Sequence, residues 1–93
     1  MLLESGKIYQ RKYFADSHML PTLQIKGSAQ IYVSNKGEKP QSVSEMVLES
    51  DFEDDNINTV IAMTRWICAV YDDSDESNAV YEMGLIQNPY MSK

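Results

Sequence analysis

Residues 24–40 read QIKGSAQIYVSNKGEKP, and up to Ser34 apolar and polar side chains alternate almost without interruption. A period of two is typical of a β-strand that buries one face and exposes the other. We therefore predict a strand from about Thr22 to Ser34. Its buried face is predicted to carry Leu23, Ile25, Ala29, Ile31 and Val33, and its exposed face Gln24, Lys26, Gln30 and Tyr32.

Gly27 stands near the middle of this predicted strand. A glycine inside a strand commonly marks a bulge, a bend or a close approach of another backbone. At the other end, Asn35 and Gly37 tolerate positive φ angles, and Pro40 cannot occupy a central strand. The chain is therefore expected to reverse direction or leave the sheet after Ser34.

Two further strands are predicted before and after this segment. The alternation within residues 7–14 is imperfect but rich in aromatic residues that favour strands. Residues 42–50 are ambiguous, because Ser42 and Glu45 fit the capping box of a short helix while the apolar residues fit a strand. We favour a turn followed by a short strand.

The largest apolar run lies in residues 56–73. Its apolar positions also fit one face of a helix, but its many β-branched residues favour a pleated sheet. We predict one long buried strand or two consecutive ones here, and a last strand over residues 79–83. Gly84 and Pro89 are expected to break regular structure after it.

Short strands separated by polar turns predict an all-β fold, a small antiparallel β-sandwich or barrel. The 93 residues form one domain, with a core over about 7–83 and extended tails over about 1–6 and 84–93. A domain of this size buries a modest share of its surface, so we expect oligomerisation to supplement its stability. The tails are apolar and are predicted to contact a partner through Leu2, Leu3, Leu85, Ile86 and Tyr90.

The chain carries a net charge of −6, with its acidic residues concentrated in 49–55 and 72–76. This charge disfavours binding to nucleic acid, and these runs are interpreted as solvated loops, with a basic partner as the alternative. A single cysteine, Cys68, fits a reducing compartment. The N-terminus does not resemble a signal peptide, and no stretch is apolar enough for a transmembrane segment, so we expect a protein that is not exported by this route.

The chain offers no recognisable catalytic, cofactor or metal site. His18, the single histidine, lies in a predicted turn, and Cys68 lies in an apolar run that suits a structural thiol. The DDSDES segment at 72–77 could attract calcium, but it lacks the glycine and terminal glutamate of an EF-hand loop. We therefore expect a protein that is not an enzyme.

Arg65 and Trp66 are adjacent and should point to opposite faces of a strand. Trp66 shares its parity with Val60, Ala62, Cys68 and Val70, which favours a core tryptophan with Arg65 outside and paired with an acid. The alternative is an interface position, and Arg65, Trp66 and Tyr32 are accordingly candidates for partner contacts.

The strand KGSAQIYVSN, the turn that Pro40 leads into SVSEMVLES, and the strand TRWICAV together resemble small virion proteins of tailed bacteriophages over residues 22–70. The resemblance implies a compact β-sandwich that sits on the capsid, the neck or a fibre base, often as a trimer, and contributes binding surface without catalysis. Proteins of this kind often have a proline just before the Arg-Trp pair, where this chain has Thr64.

These observations predict a non-enzymatic virion structural protein, a decoration or cement subunit, or a neck or fibre-base subunit, that binds the major capsid protein or another virion protein. It would be made in the host cytoplasm and would form a homo-oligomer, with a trimer favoured. The alternative is a small acidic inhibitor of a host protein that mimics phosphates or blocks a basic cleft. A ligand-binding β-barrel is a third possibility.

Overall fold

The computed structural model describes residues 1–11, 19–54 and 56–87. Seven strands and one short 3₁₀ turn form the described fold. The strands are β1 (Ile8–Gln10), β2 (Met19–Lys26), β3 (Ala29–Ser34), β4 (Val47–Phe52), β5 (Ile57–Ile61), β6 (Trp66–Val70) and β7 (Ala79–Gln87), and the 3₁₀ turn spans Val43–Glu45.

The strands form two antiparallel sheets, so the predicted all-β fold is confirmed. One sheet has four strands in the order β1-β6-β3-β4, and the other has three in the order β5-β2-β7. Apolar side chains from both sheets fill the space between them, as in other β-sandwiches. The buried cluster consists of Leu3, Leu23, Ile25, Ala29, Ile31, Val33, Val60, Ala62, Ile67, Ala69 and Val80.

The strand predicted from Thr22 to Ser34 is in fact two strands that belong to different sheets. β2 ends at Lys26 in the three-stranded sheet, and β3 begins at Ala29 in the four-stranded sheet. The chain turns the corner at Gly27, whose φ angle is 74°. Because the apolar parity is unchanged through the corner, the buried side chains of both strands face the same core.

Contacts from two other connections hold this corner in place. The Gly27 N–H donates to the carbonyl oxygen of Asn56 at 3.2 Å. The Ser28 N–H donates to Oδ1 of Asn78 at 2.9 Å. A Cβ atom on Gly27 would collide with that same Asn78 oxygen and with the carbonyl oxygen of Ser77. The corner therefore requires glycine for both its backbone angle and its lack of a side chain.

The remaining strands differ from their predictions mainly in length and burial. The first strand covers only Ile8–Gln10, and residues 42–50 form the favoured turn and strand, here the 3₁₀ turn followed by β4. The apolar run over 56–73 forms the two consecutive strands β5 and β6. The prediction that both are buried is wrong for β5, because Ile57 and Ile61 are exposed on this edge strand.

Described residues of both predicted tails join the three-stranded sheet. β7 continues through Gly84 to Gln87, so the predicted break at Gly84 is wrong. At the other end of the chain, Leu2 forms a β-bridge with Tyr81, and the Leu3 N–H donates to the carbonyl oxygen of Val80 at 2.8 Å. Residues 88–93 lie outside the described residues.

Arg11 is a buried cation whose residue is 1% exposed. Its Nε lies 3.1 Å from Oε2 of Glu82 in β7, and its Nη1 donates to the carbonyl oxygen of Ala62 at 3.0 Å. Its backbone N–H donates to the carbonyl oxygen of Arg65 at 2.7 Å. The side chain and backbone of Arg11 thus connect the end of β1 to both sheets.

Replacing Gly27 with alanine should lower the free energy of unfolding by about 3 kcal/mol, because the left-handed backbone angle and the collision with Ser77 and Asn78 both oppose a Cβ atom. Gly6→Ala is the matched control, since Gly6 has a φ angle of 83° but no atom within 4 Å of its added Cβ. In that control variant the free energy of unfolding should decrease by about 1 kcal/mol. Urea unfolding measures both, and equal losses would contradict the steric role of the corner.

Replacing Glu82 with alanine should cost about 3–5 kcal/mol in the free energy of unfolding, because it leaves the buried Arg11 charge without its carboxylate. The Lys7–Glu4 ion pair supplies the control, since its side chains are 57% and 72% exposed. Glu4→Ala should cost less than about 1 kcal/mol. If both variants unfold at the same urea concentration, the Arg11–Glu82 pair does not stabilise the fold as described.

Candidate interaction surfaces

An apolar row crosses the outer face of the four-stranded sheet. The strand registers place Ile8 beside Cys68, Cys68 beside Tyr32, and Tyr32 beside Leu48. Cys68 is fully buried, Ile8 and Tyr32 are half-buried, and Leu48 is 46% exposed. Apolar residues on this face therefore become more accessible toward the edge strand β4.

We name the accessible end of this row the Tyr32 patch and define it as Tyr32 and Leu48, which lie opposite each other on the outer face. Val47 is 68% exposed, but it lies opposite the core residue Val33 and therefore belongs to the other face of the sheet. The pairing register of β4 shifts between Ile31 and Tyr32, which is a β-bulge or irregularity of the kind that redirects side chains at a sheet edge. The Tyr32 hydroxyl lies 3.2 Å from Oε1 of Gln30, to which it donates a hydrogen bond.

Trp66 and Arg65 join two loops at one end of the sandwich. The Trp66 indole N–H donates to the carbonyl oxygen of Lys36 at 2.9 Å, and the Arg65 N–H donates to Oδ1 of Asn35 at 3.0 Å. Trp66 is only 7% exposed, so it stabilises this junction and is not available as a contact surface.

The strand parity proposed for Trp66 needs correction. Ile67 and Ala69 of β6 face the core between the sheets, so Trp66 and Cys68, which alternate with them, belong to the outer face. The shared parity with Val60 and Ala62 is broken by the loop between β5 and β6. Arg65 is partly exposed as expected, but among the described residues no carboxylate forms an ion pair with it.

The terminal residues predicted to contact a partner differ in accessibility. Leu3 is fully buried in the core, so its side chain stabilises the fold and cannot bind a partner. Leu2 is 51% exposed and lies beside Tyr81 on the outer face of the three-stranded sheet. Leu85 and Ile86 pair with Pro21 and Leu20 within that sheet. Tyr90 and His18 lie outside the described residues.

The interpretation of both acidic runs as loops is wrong for residues 49–52, which belong to β4, but Glu53 and Asp54 and the second run lie at the same end of the molecule. Lys26, the last residue of β2, pairs with both Ile57 and Ala79, so the connections preceding β5 and β7 lie together beyond that end. We call this region the acidic end. Its described carboxylates are Glu4, Glu53, Asp54, Asp72, Asp73, Asp75 and Glu76.

Residues of the second acidic run form hydrogen bonds with one another. Asp72 accepts hydrogen bonds from the Ser74 hydroxyl and N–H, and Asp75 accepts the same two bonds from Ser77. The Ser77 hydrogen bonds lower the pKa of Asp75. Within residues 1–11, 19–54 and 56–87, no group of three or more His, Cys, Asp or Glu side chains is placed to hold a metal ion.

The buried Cys68 and the partly buried Tyr71 both favour their neutral forms. Burial raises the pKa of the Cys68 thiol, which makes it a poor nucleophile at neutral pH. Burial, followed by the negative charge of Asp73, raises the pKa of Tyr71. The Tyr71 hydroxyl donates to the carbonyl oxygen of Leu3 at 2.6 Å, a bond that only the neutral phenol can make.

Several accessible apolar residues were not among the predicted contacts. These residues, all at least 40% exposed, are Val47, Leu48, Ile57, Ile61, Met63 and Tyr81. Their sequence segments were predicted as strands, but strand prediction does not identify which strand lies at a sheet edge. The apolar composition alone therefore could not distinguish these residues from the core.

Comparisons with known proteins provide no relative: no protein-family model matches the chain, and no curated protein or solved structure matches it. No helix in the described part of the chain is long and apolar enough to cross a bilayer.

The raised pKa values of Cys68 and Tyr71 predict that alkali destabilises the fold. Their stabilising contribution is complete below the pKa values of the unfolded chain and is lost as the pH rises through the folded values. The free energy of unfolding should therefore fall as the pH rises above about 8.5, the ordinary pKa of a thiol, and further above about 10, the ordinary pKa of a phenol. Tyr71→Phe removes the hydrogen bond to Leu3 and should lower the free energy of unfolding by about 1 kcal/mol at neutral pH. The free energy of unfolding of this variant should then decrease less steeply with rising pH than that of the wild type. Urea unfolding across this pH range measures the slopes, and identical slopes would refute the assignment.

Proposed function

We propose that this chain is a non-enzymatic structural protein of a tailed-bacteriophage virion, a decoration or cement subunit that binds an assembled protein shell. The neck and the fibre base are alternative locations on the particle. The resemblance over residues 22–70 supports this proposal, as does the β-sandwich architecture. The observation that carries it is the exposed Tyr32 patch at the edge of the four-stranded sheet.

The Tyr32 patch has the composition expected of a contact surface. The aromatic side chain of Tyr32 lies beside Leu48, which is 46% exposed. Protein interfaces are enriched in tyrosine at their centres and polar at their rims. Here the neighbouring β4 residues Glu49 and Asp51 are exposed and would supply part of such a rim.

Shell binding also suits the size of the patch. A few side chains bury too little area for a tight one-to-one complex, but a subunit repeated over a shell gains from several simultaneous contacts. A decoration protein needs no catalytic group for this role, only a rigid scaffold that presents the patch. The fully buried Leu23, Ile25 and Ile31 provide such a scaffold.

Leu48→Glu should reduce binding to particles by about tenfold or more, because it introduces a charge at the centre of the apolar patch. The assay is co-sedimentation of the purified protein with particles of the encoding phage that lack this chain. Leu2→Glu is the matched control, because Leu2 is 51% exposed but lies on the other sheet, and it should bind like the wild type. Circular dichroism confirms that both variants fold.

Two results would contradict the proposal at different levels. If mass spectrometry of purified wild-type particles does not detect the chain, the virion assignment is wrong. If the chain is present but Leu48→Glu binds normally, the virion assignment stands and the Tyr32 patch is not the contact. If only Leu2→Glu loses binding, the contact surface lies on the three-stranded sheet and not at the Tyr32 patch.

The acidic end favours a second candidate function, an inhibitor that docks on a basic surface of a host protein. The structure brings the two acidic runs together, which makes a more compact negative surface than separate loops would form. Salt dependence distinguishes the two functions in the same binding assay. Docking through exposed carboxylates should weaken steeply as salt increases, whereas contact through the Tyr32 patch should weaken only slightly.

A further inference from the structure

The described sheets have four edges, and they differ in how they are protected against pairing with another chain. β1 is only three residues long, and the edge of β7 is partly covered by hydrogen bonds from Met1 and Leu3. β4 carries Glu49 and Asp51 and has a shift in its register. β5 has none of these features, although charges, bulges and short length are the usual defences of an edge strand.

β5 pairs with β2 in a regular antiparallel register from Thr22↔Ile61 to Lys26↔Ile57. One position beyond this register, the Gly27 N–H donates to the carbonyl oxygen of Asn56. Because backbone hydrogen bonds alternate in direction along an antiparallel strand, Asn58 and Val60 also direct their backbone groups to β2. The N–H and C=O groups of Ile57, Thr59 and Ile61 therefore point away from β2, at an edge that no other described strand covers.

We propose that two copies of this chain pair through their β5 strands, antiparallel and about a two-fold axis at Thr59. This inference goes beyond the proposed virion function and does not depend on it. In this register Thr59 lies opposite Thr59 of the second copy, and Ile57 lies opposite Ile61 of the second copy. The outward backbone groups of all three residues then hydrogen-bond across the axis.

The side chains of β5 are self-complementary in this arrangement. Ile57 and Ile61 are 65% and 53% exposed, and they lie at equal distances on either side of Thr59. The two-fold axis therefore creates two identical isoleucine pairs that become less exposed on pairing. Cross-strand pairs of β-branched residues stabilise a sheet, as do paired threonines. A two-fold contact requires this kind of match between a surface and itself.

Charge also favours a second copy as the occupant of this edge. The chain has a net charge of −6, so most contacts between copies are repulsive, but residues 56–64 contain no charged side chain. Pairing through β5 therefore brings together a segment of each copy that has no like charges to repel one another.

The predicted two-fold contact replaces the trimer that the resemblance implies. Each β5 edge can pair with only one other β5 edge, so the assembly formed through this contact contains two copies. Continued growth through the same strand is impossible. The protein in solution should therefore show a monomer–dimer equilibrium, with a dimer of twice the chain mass of 10.6 kDa.

Light scattering and sedimentation velocity over a concentration series test the stoichiometry. The wild type should approach the dimer mass, and Thr59→Lys should weaken dimerisation by about tenfold or more, because it places two positive charges opposite each other at the axis. Gln41→Lys is the control, since it makes the same charge change at an exposed position outside β5, and it should dimerise like the wild type. A trimer, a monomer at all concentrations, or an unaffected Thr59→Lys dimer would overturn the proposal.

Cysteine cross-linking tests the register. In the proposed dimer the two Thr59 Cα atoms are about 5.5 Å apart, which a disulfide can span, so Thr59→Cys should form a covalent dimer under mild oxidation. Ile57→Cys places the two thiols about 13 Å apart along the strand and should not cross-link efficiently. The native Cys68 is buried and common to both variants. Equal cross-linking of the two variants, or none with Thr59→Cys, would exclude this register.

Discussion

The absence of a side chain at Gly27 is the constraint on which the sandwich depends. A positive φ angle at this residue lets the chain leave one sheet and enter the other within two residues. The corner fits directly against Ser77 and Asn78, so the connection that leads into β7 is positioned by the same residue. Because the apolar parity persists through the turn, Leu23 and Ile31 reach one common core from opposite sheets.

The alternation of residues 22–34 predicted which side chains are buried, but not that they belong to two strands. A period of two is the same for one long strand and for two strands joined at a corner, because only the partner strands distinguish them. Gly27 indicated where the regular strand is interrupted, but it did not indicate that the interruption is a corner between two sheets. The β-branched content of residues 56–73 likewise predicted strands correctly. It could not indicate that β5 lies at an edge, where Ile57 and Ile61 are exposed.

The candidate surfaces were harder to predict than the fold, because exposure depends on long-range packing. Arg11 illustrates this limit: a lone arginine in a polar segment would be expected at the surface, yet it is buried against Glu82, which lies 71 positions later in the sequence. Leu2 and Leu3 are adjacent and similar, but sheet pairing buries only Leu3. Tyr32 was predicted as a contact, whereas its neighbour Leu48 was identified only from the strand register.

The β4 and β5 edges, which no other described strand covers, suit different kinds of contact, and the two proposals assign one contact to each. β4 carries acidic residues that discourage pairing with another copy, so the Tyr32 patch beside it stays available to a different partner. β5 is uncharged and self-complementary, and in the proposed dimer it pairs two copies and doubles the number of patches. Because the second patch of a dimer binds at a high effective concentration once the first is engaged, two weak contacts can act as one strong contact. Self-association would then be part of how so small a domain binds a repeating surface.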